Sequence, residues 1–169
     1  GFLGHVQLLT QRTSALGFCK LYEDDPRSDQ YSLPQVIRAL ARIEQDSPDA
    51  WSAEQRAAVL AFGGKTDSDG AVMRIDAILE SRYRTFCAEH EADLRRFKTF
   101  RDKVVAHPDS HCDLESLPGF EVQLSLYAFV LSFYKLIASS FVGTHPAHMT
   151  PDAENSLFST LRLLGISRP

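Results

Sequence analysis

Cysteine is scarce in this sequence and poorly arranged for crosslinks or for metal. Three cysteines occur in 169 residues, at Cys19, Cys87 and Cys112, and none belongs to a Cys-x-x-Cys pair. An odd number of widely spaced cysteines argues against a disulfide framework and against a zinc ribbon. Such cysteines are typical of a reducing compartment, and we therefore predict a cytoplasmic protein.

An excess of positive charge is also lacking. The chain carries 18 Lys and Arg against 22 Asp and Glu, which gives a formal net charge of −4. Proteins that wrap nucleic acid non-specifically are usually basic overall. Any contact with nucleic acid would therefore need a local basic patch.

Glycine and proline are few, and they separate apolar runs that have helical spacing. The 9 Gly and 8 Pro punctuate segments whose apolar residues recur every three or four positions. No strand-like alternation of any length competes with this pattern. We predict one all-α domain over residues 1–169, a helical bundle with two long core helices and shorter flanking helices. The helices are expected at about 2–23, 33–45, 53–62, 70–106, 120–142 and 152–164.

The segment 124–143 is apolar and about long enough to cross a bilayer. Lys135 lies near its middle, and no positive flank sets an orientation. We therefore predict no membrane association. The segment is expected to form a buried central helix that is enclosed by neighbouring helices or by a second subunit.

The longest predicted helix ends in a segment with chemically suggestive spacing. Because Pro108 disfavours helical geometry at the preceding residue, the helix should stop near Ala106 and leave His107 at its end. Arg101 lies about 40° around the helix from Phe97, and therefore beside the buried stripe. The dipole at the helix C-terminus also favours a protonated imidazole there.

An arginine followed by a polar residue and, six positions on, by a histidine suits cleavage of RNA without a metal. A histidine titrates near neutral pH, so His107 could take the proton from a 2′-hydroxyl or give one to the leaving oxygen. Arg101 could stabilise the charge on the five-coordinate phosphorus. Asp102 could hold the tautomer of the histidine or orient the arginine.

The surrounding residues supply a local basic patch. Residues 94–105 contain five basic residues against one acidic residue, a local charge of +4. A phosphate backbone prefers such a surface. Besides Arg101, the candidate RNA-binding residues are Arg95, Arg96, Lys98 and Lys103, although a solvated helix face is the simplest explanation of Arg95, Arg96 and Lys98.

The segment 101–107, RDKVVAH, resembles the motif of the HEPN superfamily (higher eukaryotes and prokaryotes nucleotide-binding domains). Active members of this superfamily are α-helical bundles that carry an Arg, a polar residue, several further residues and then a His. The continuation Ala-His-Pro-Asp and the segment 31–34, YSLP, resemble the U-type abortive-infection branch. The motif resemblance covers about a dozen residues, and the order of helices resembles the superfamily over most of the chain.

The resemblance implies endoribonuclease activity without a metal or other cofactor, in a toxin–antitoxin, abortive-infection or other phage-defence system. It implies a two-fold homodimer that brings two Arg/His pairs into one cleft, with RNA and an antitoxin protein as partners. Two alternatives stay open: a non-catalytic HEPN module that binds RNA, nucleotide or a partner protein, and a purely structural dimerisation bundle.

Several of these residues also have simpler explanations. Arg101 and His107 could form a structural pair in which the histidine caps helix carbonyls. His90 lies on the apolar stripe and is expected to be a satisfied core or interface histidine. The loop residues His111 and Cys112 could contribute to a metal site, but the loop gives no fixed geometry, and we predict no metal site.

Overall fold

The computed structural model describes residues 2–24, 32–47, 49–65, 73–106 and 117–142, and these form an all-α bundle. This part of the chain contains no strand, and a π-helical turn, Ala138–Val142, follows its last α-helix. The predicted fold class is confirmed. The helix predicted at 152–164 lies outside the described residues. The α-helices are α1 (Phe2–Tyr22), α2 (Leu33–Asp46), α3 (Ala53–Phe62), α4 (Ile75–Glu89), α5 (Glu91–Ala106) and α6 (Phe120–Ile137).

Local capping signals fix both ends of α3. Ser52 Oγ accepts a hydrogen bond from Gln55 N at 3.2 Å, and Ser52 N donates to Gln55 Oε1 at 2.7 Å. This reciprocal arrangement satisfies two backbone donors that the helix leaves unpaired. Gly64 follows the helix with a φ of 64°, a backbone geometry that favours glycine. Both ends of α3 therefore follow from local sequence.

The core lies where α1 packs against α5 and where α4 packs against α2 and α3. Phe97 on α5 and Leu79 on α4 are among the most deeply buried side chains, with exposed fractions of 1% and 0%. Phe86 on α4 stacks on Phe129 of α6, with ring centroids 4.0 Å apart, and so joins α6 to the same core. The apolar stripe predicted along α4 and α5 thus forms the centre of the bundle.

Two helices bury residues other than those the sequence predicts. The pattern places Thr13 and Lys20 on the inner side of α1, but both are exposed. The pattern also places Ile43 of α2 inward, but its side chain is 45% exposed, whereas Glu44 is 7% exposed. Where burial along α1 is described, the inner face contains Cys19, as predicted, together with Ala15, Phe18 and Tyr22.

Glu44 is buried because its carboxylate has partners on two other helices. Oε2 accepts a hydrogen bond at 3.0 Å from the backbone N of Ile75, the first residue of α4. Oε1 accepts one at 3.3 Å from Nη1 of Arg56 on α3. A carboxylate at a helix N-terminus pairs with an otherwise unpaired N–H and with the positive end of the dipole. Glu44 therefore ties α2, α3 and α4 together at one point.

The helix predicted over 70–106, for which the sequence allows a bend near Glu89 to Glu91, is divided at His90. This residue has a φ of −113° and a ψ of 18°, which lie outside α-helical geometry, and it separates α4 from α5. No proline occurs in this stretch. The imidazole is held by α6, since Nε2 lies 3.2 Å from Ser125 Oγ. We attribute the break to this tertiary contact, which a helical periodicity cannot reveal.

Helix α6 buries one face and exposes another that is also apolar. On the exposed face, Phe120, Leu124, Tyr127 and Tyr134 have exposed fractions of 73%, 48%, 56% and 40%. The stretch Phe120–Phe141 has the length and the apolar composition to cross a membrane, with a mean hydropathy of 1.5, but core helices of soluble proteins share these properties. The described helices thus do not enclose α6 on all sides, and enclosure completed by a second subunit stays a prediction.

Candidate active site at the end of α5

Helix α5 places Arg101 at the edge of the core. Phe97 and Phe100 turn inward and are 1% and 3% exposed, which fixes the rotation of the helix against α1. Arg101 comes one turn after Phe97, and its side chain is 23% exposed. The predicted position of Arg101 beside the buried stripe is confirmed.

Two carboxylates hold the guanidinium of Arg101. Its Nε and Nη2 donate to Asp102 Oδ1 at 2.9 and 2.8 Å. Its Nη1 donates to Oε2 of Glu23, which lies just after α1 and whose backbone N donates to Cys19 O. The ion pair between Arg101 and Glu23 therefore also links the ends of α1 and α5.

These carboxylates set the electrostatics of Arg101. Burial acts to lower the pKa of the guanidinium, but the hydrogen bonds that it donates to Glu23 and Asp102 outweigh this effect, and the pKa is raised. Three of its five N–H donors are used in the bonds above. Within the described part of the chain, one N–H on each terminal nitrogen has no partner, so the arginine can still bind an anion.

Asp102 contacts the arginine directly, which is one of the two roles that the sequence allows. Its side chain is 57% exposed, and its bonds to Arg101 fix the plane of the guanidinium. The other role, holding the tautomer of His107, stays a prediction. Helix α5 ends at Ala106, as expected from Pro108, but His107 itself lies outside the described residues.

The candidate RNA-binding cations do not all face the same way. Arg95 pairs with Glu91 at 2.6 Å, and Arg96 lies 3.7 Å from Asp93. Because each residue turns the helix by about 100°, Lys98 and Lys103 lie about 140° apart around α5. Both lysines are exposed, and neither has an ion pair within the described ranges. The +4 charge of residues 94–105 is therefore partly neutralised by acids from outside that window.

The sequence provides no signal for the most important partner of Arg101. Glu23 lies 78 positions away, and only the packing of α1 against α5 brings the two side chains together. The carboxylate partners of Arg95 and Arg96 are easier to see in the sequence, because Glu91 and Asp93 begin α5 just before the basic residues. An acidic residue at the end of a helix, such as Glu23 just after α1, is common and does not by itself indicate a functional site.

A second polar cluster lies at the break between α4 and α5. His90 Nε2 is 3.2 Å from Ser125 Oγ, and His90 Nδ1 is 4.0 Å from Asp93 Oδ2. The imidazole also packs against the ring of Phe86, with centroids 4.6 Å apart. His90 therefore has polar partners, as the prediction of a satisfied core or interface histidine requires, but its side chain is 19% exposed and lies at the edge of the core.

The described residues offer no preformed metal centre. They contain no group of three or more His, Cys, Asp or Glu side chains that could hold a metal ion. Cys19 and Cys87 are free thiols. The loop candidates His111 and Cys112 lie outside the described residues.

Comparisons with protein-family models, with curated proteins and with solved structures found no match for this chain. The resemblance to the HEPN superfamily therefore depends on the Arg101 motif and on the order of the helices, and it stays a prediction.

Proposed function

We propose that the chain is a metal-independent endoribonuclease of the HEPN type, with Arg101 as phosphate stabiliser and His107 as general acid and base. The observation that carries the proposal is the placement of Arg101. Its guanidinium is partly buried, is oriented by Glu23 and Asp102, and keeps free N–H donors six residues before His107. A guanidinium held in one orientation can bind phosphate oxygens with little further loss of entropy.

The chemistry of such a site follows from these side chains. His107 takes the proton of a ribose 2′-hydroxyl, whose oxygen attacks the adjacent phosphorus. Arg101 stabilises the negative charge that develops on the phosphoryl oxygens. As the bond to the 5′-oxygen breaks, that oxygen receives the proton held by His107, and a 2′,3′-cyclic phosphate is left. Each atom is accounted for without a metal ion.

The test is cleavage of labelled RNA in the presence of EDTA. Arg101→Lys keeps one positive charge beside Glu23 and Asp102 but loses the planar donor set, so we expect the cleavage rate to fall roughly a hundredfold or more. His107→Ala should lower the rate by a factor on the order of 10² to 10⁴. The readout is the cyclic-phosphate product, resolved by gel or mass spectrometry.

The matched control is Arg84→Ala. Arg84 is an exposed arginine on α4 that pairs with Glu80 at 2.6 Å, and its removal should leave cleavage unchanged. Helical content, measured by circular dichroism, shows whether each variant is folded. Undiminished cleavage by a folded His107→Ala protein would refute the proposal.

One observation favours the non-catalytic alternative, a module that binds RNA, nucleotide or a partner protein without cutting. The guanidinium of Arg101 faces two carboxylates, so this cluster of three side chains has a net charge of −1 and attracts phosphate less strongly than a free arginine would. RNA that binds but stays intact in the assay above would support this alternative.

A homodimer is part of the same proposal, and the exposed face of α6 supports it. Its apolar residues follow one another at spacings of four, three, four and three, which is the spacing of a helix that pairs with another helix. Since the stripe is opposite the buried face of α6, a second copy can cover it without disturbing the core. The residues of this α6 stripe are Phe120, Leu124, Tyr127, Leu131 and Tyr134.

The biological setting belongs to the proposal as well. A ribonuclease without a metal requirement, acting in the cytoplasm in phage defence or in a toxin–antitoxin pair, would need an antitoxin protein or another restraint on RNA cleavage. This setting is supported by the resemblance of residues 101–107 to the HEPN motif, and by no other observation.

A further inference from the structure

A cleft of about 400 Å³ opens between α1, α4 and α5. Clefts of this size are in the range that holds small organic molecules. Glu23 lines it, but Arg101 does not, so it lies next to the candidate active site and is distinct from it. The chemistry of its walls indicates what it can bind.

The walls of the cleft are aromatic. Phe18 of α1 and Phe97 of α5 lie with ring centroids 5.2 Å apart, and Tyr22 and Tyr83 are stacked at 6.4 Å. Both tyrosine hydroxyls are already engaged, since Tyr22 donates to Leu126 O at 2.7 Å and Tyr83 donates to Tyr22 O at 2.6 Å. Tyr22 is only 7% exposed, whereas Tyr83 is partly exposed, so the ring of Tyr83 offers surface to a ligand, and this surface favours a flat aromatic body.

The two thiols in the cleft add to its apolar character. Burial raises the pKa of Cys19 to about 11 and also raises the pKa of Cys87. Both thiols are therefore protonated and neutral at physiological pH. A neutral thiol is a small, polarisable, weakly polar group that packs well against a ring.

The charged residues of the cleft leave one cation unmatched. Glu23 pairs with Arg101 outside the cleft, and Glu91 pairs with Arg95 at 2.6 Å. Lys98 lines the cleft, is exposed, and has no carboxylate partner in the part of the chain that the structure describes. An anionic group at this rim would complete the set of ion pairs.

We propose that this cleft binds an aromatic anion, with its ring against the partly exposed ring of Tyr83 and its negative group paired with Lys98. The proposal does not depend on RNA cleavage, because it uses neither Arg101 nor His107. It is tested with the fluorescent dye 8-anilinonaphthalene-1-sulfonate and with the uncharged analogue N-phenyl-1-naphthylamine, which has the same rings but no sulfonate.

The first measurement is the affinity of both dyes by fluorescence titration. An exposed ion pair contributes a factor of about two to five in affinity, so the sulfonate should bind more tightly than its neutral analogue by about this factor. Lys98→Gln should remove this preference. Lys103→Gln, which makes the same change of charge about 140° away on α5, should leave it intact.

The second measurement shows where the dye binds. Cys87 lines the cleft and is only partly buried, so N-ethylmaleimide should modify it slowly at pH 8. At a dye concentration of ten times its Kd, the rate of modification should fall roughly tenfold, because only the free protein reacts. Peptide mass spectrometry reports Cys87 separately from the other two cysteines.

The proposal is overturned by any of three results on folded protein. These are absence of binding, a sulfonate preference that survives Lys98→Gln, and modification of Cys87 at the same rate with and without the dye. Loss of RNA cleavage in the Arg101→Lys protein has no bearing on these results, so the two proposals stand or fall separately.

Discussion

Among single residues, the Cys19 thiol shows most directly how burial shifts an acid–base equilibrium. Its side chain is 4% exposed, and burial raises its pKa from 9.0 to about 11, although the positive charge of Arg101 acts in the opposite direction. In the unfolded chain the thiol ionises near its ordinary pKa. The folded chain therefore holds this proton over a pH range in which the unfolded chain has lost it.

The sign of the pH dependence follows from this difference. Because the folded pKa is the higher one, the contribution of Cys19 to stability is complete below pH 9 and is lost as the pH rises towards 11. We expect the difference in free energy of unfolding between wild type and Cys19→Ala to shrink by roughly 2 kcal/mol from pH 8 to pH 10.5. Urea unfolding at several pH values measures it.

The comparison with Cys19→Ala supplies its own control. Tyr22 and Tyr83, whose pKa values burial also raises, are present in both proteins, so their contributions cancel in the difference. A difference that stays constant from pH 8 to pH 10.5 would show that the thiol ionises equally readily in the folded and unfolded chains.

Among the secondary-structure elements, the break between α4 and α5 coincides with a contact between His90 and α6. His90 leaves helical geometry, and its Nε2 lies 3.2 Å from Ser125 Oγ. A half-buried hydrogen bond of this kind contributes about 1 kcal/mol net. We therefore expect a double-mutant cycle of His90→Ala and Ser125→Ala to give a coupling energy of roughly 0.5–1.5 kcal/mol by urea unfolding.

Ser132 provides the matched control for this cycle. It is on the same helix as Ser125, but its hydroxyl donates at 2.8 Å to Phe129 O, within α6 itself. His90→Ala combined with Ser132→Ala should therefore give additive losses of stability. Equal coupling in both cycles would mean that His90 acts through α6 as a whole and not through the hydrogen bond to Ser125.

The same helices show what could be predicted from sequence. Both ends of α3 were predictable because their determinants are local: Ser52 and Gln55 begin the helix, and Gly64 follows it. A bend near Glu89 to Glu91 was expected from the sequence, but the full break at His90 was not, because its contact is with a serine 35 positions away. The inward turn of Glu44 likewise requires the N-terminus of α4 as its partner.

In the candidate site, too, the features that depend on one helix could be predicted, whereas those that depend on packing between helices could not. The position of Arg101 beside the core follows from its spacing to Phe97, which is a property of one helix. Its ion pair with Glu23 needs α1 against α5, and the partial neutralisation of the cations follows from acids that begin α5. Sequence therefore identifies the arginine, whereas the charge around it is a property of the folded chain.

For the whole molecule, the exposed α6 stripe is the feature that the described helices leave uncovered. Its four most exposed residues are large and apolar, and single exposed apolar residues are common, but a continuous row of them marks an interaction site. Heptad-like spacing favours a helix as the covering element. The proposed second copy supplies that helix. The fraction of chains with an assembled site would then depend on protein concentration.

Charged substitutions in the α6 stripe test whether RNA cleavage depends on dimer formation. Leu124→Glu combined with Tyr127→Glu places two like charges in the middle of the α6 stripe, so we expect monomers in sedimentation velocity at concentrations where the wild type is dimeric. Ser132→Glu, on the same helix but about 80° from Leu124, should stay dimeric.

If the Arg/His pairs act together across the two-fold axis, the monomeric variant should also lose RNA cleavage, and the wild type should lose specific activity on dilution. A folded monomer with full activity would show instead that one chain contains the complete site, and that the α6 stripe serves another purpose.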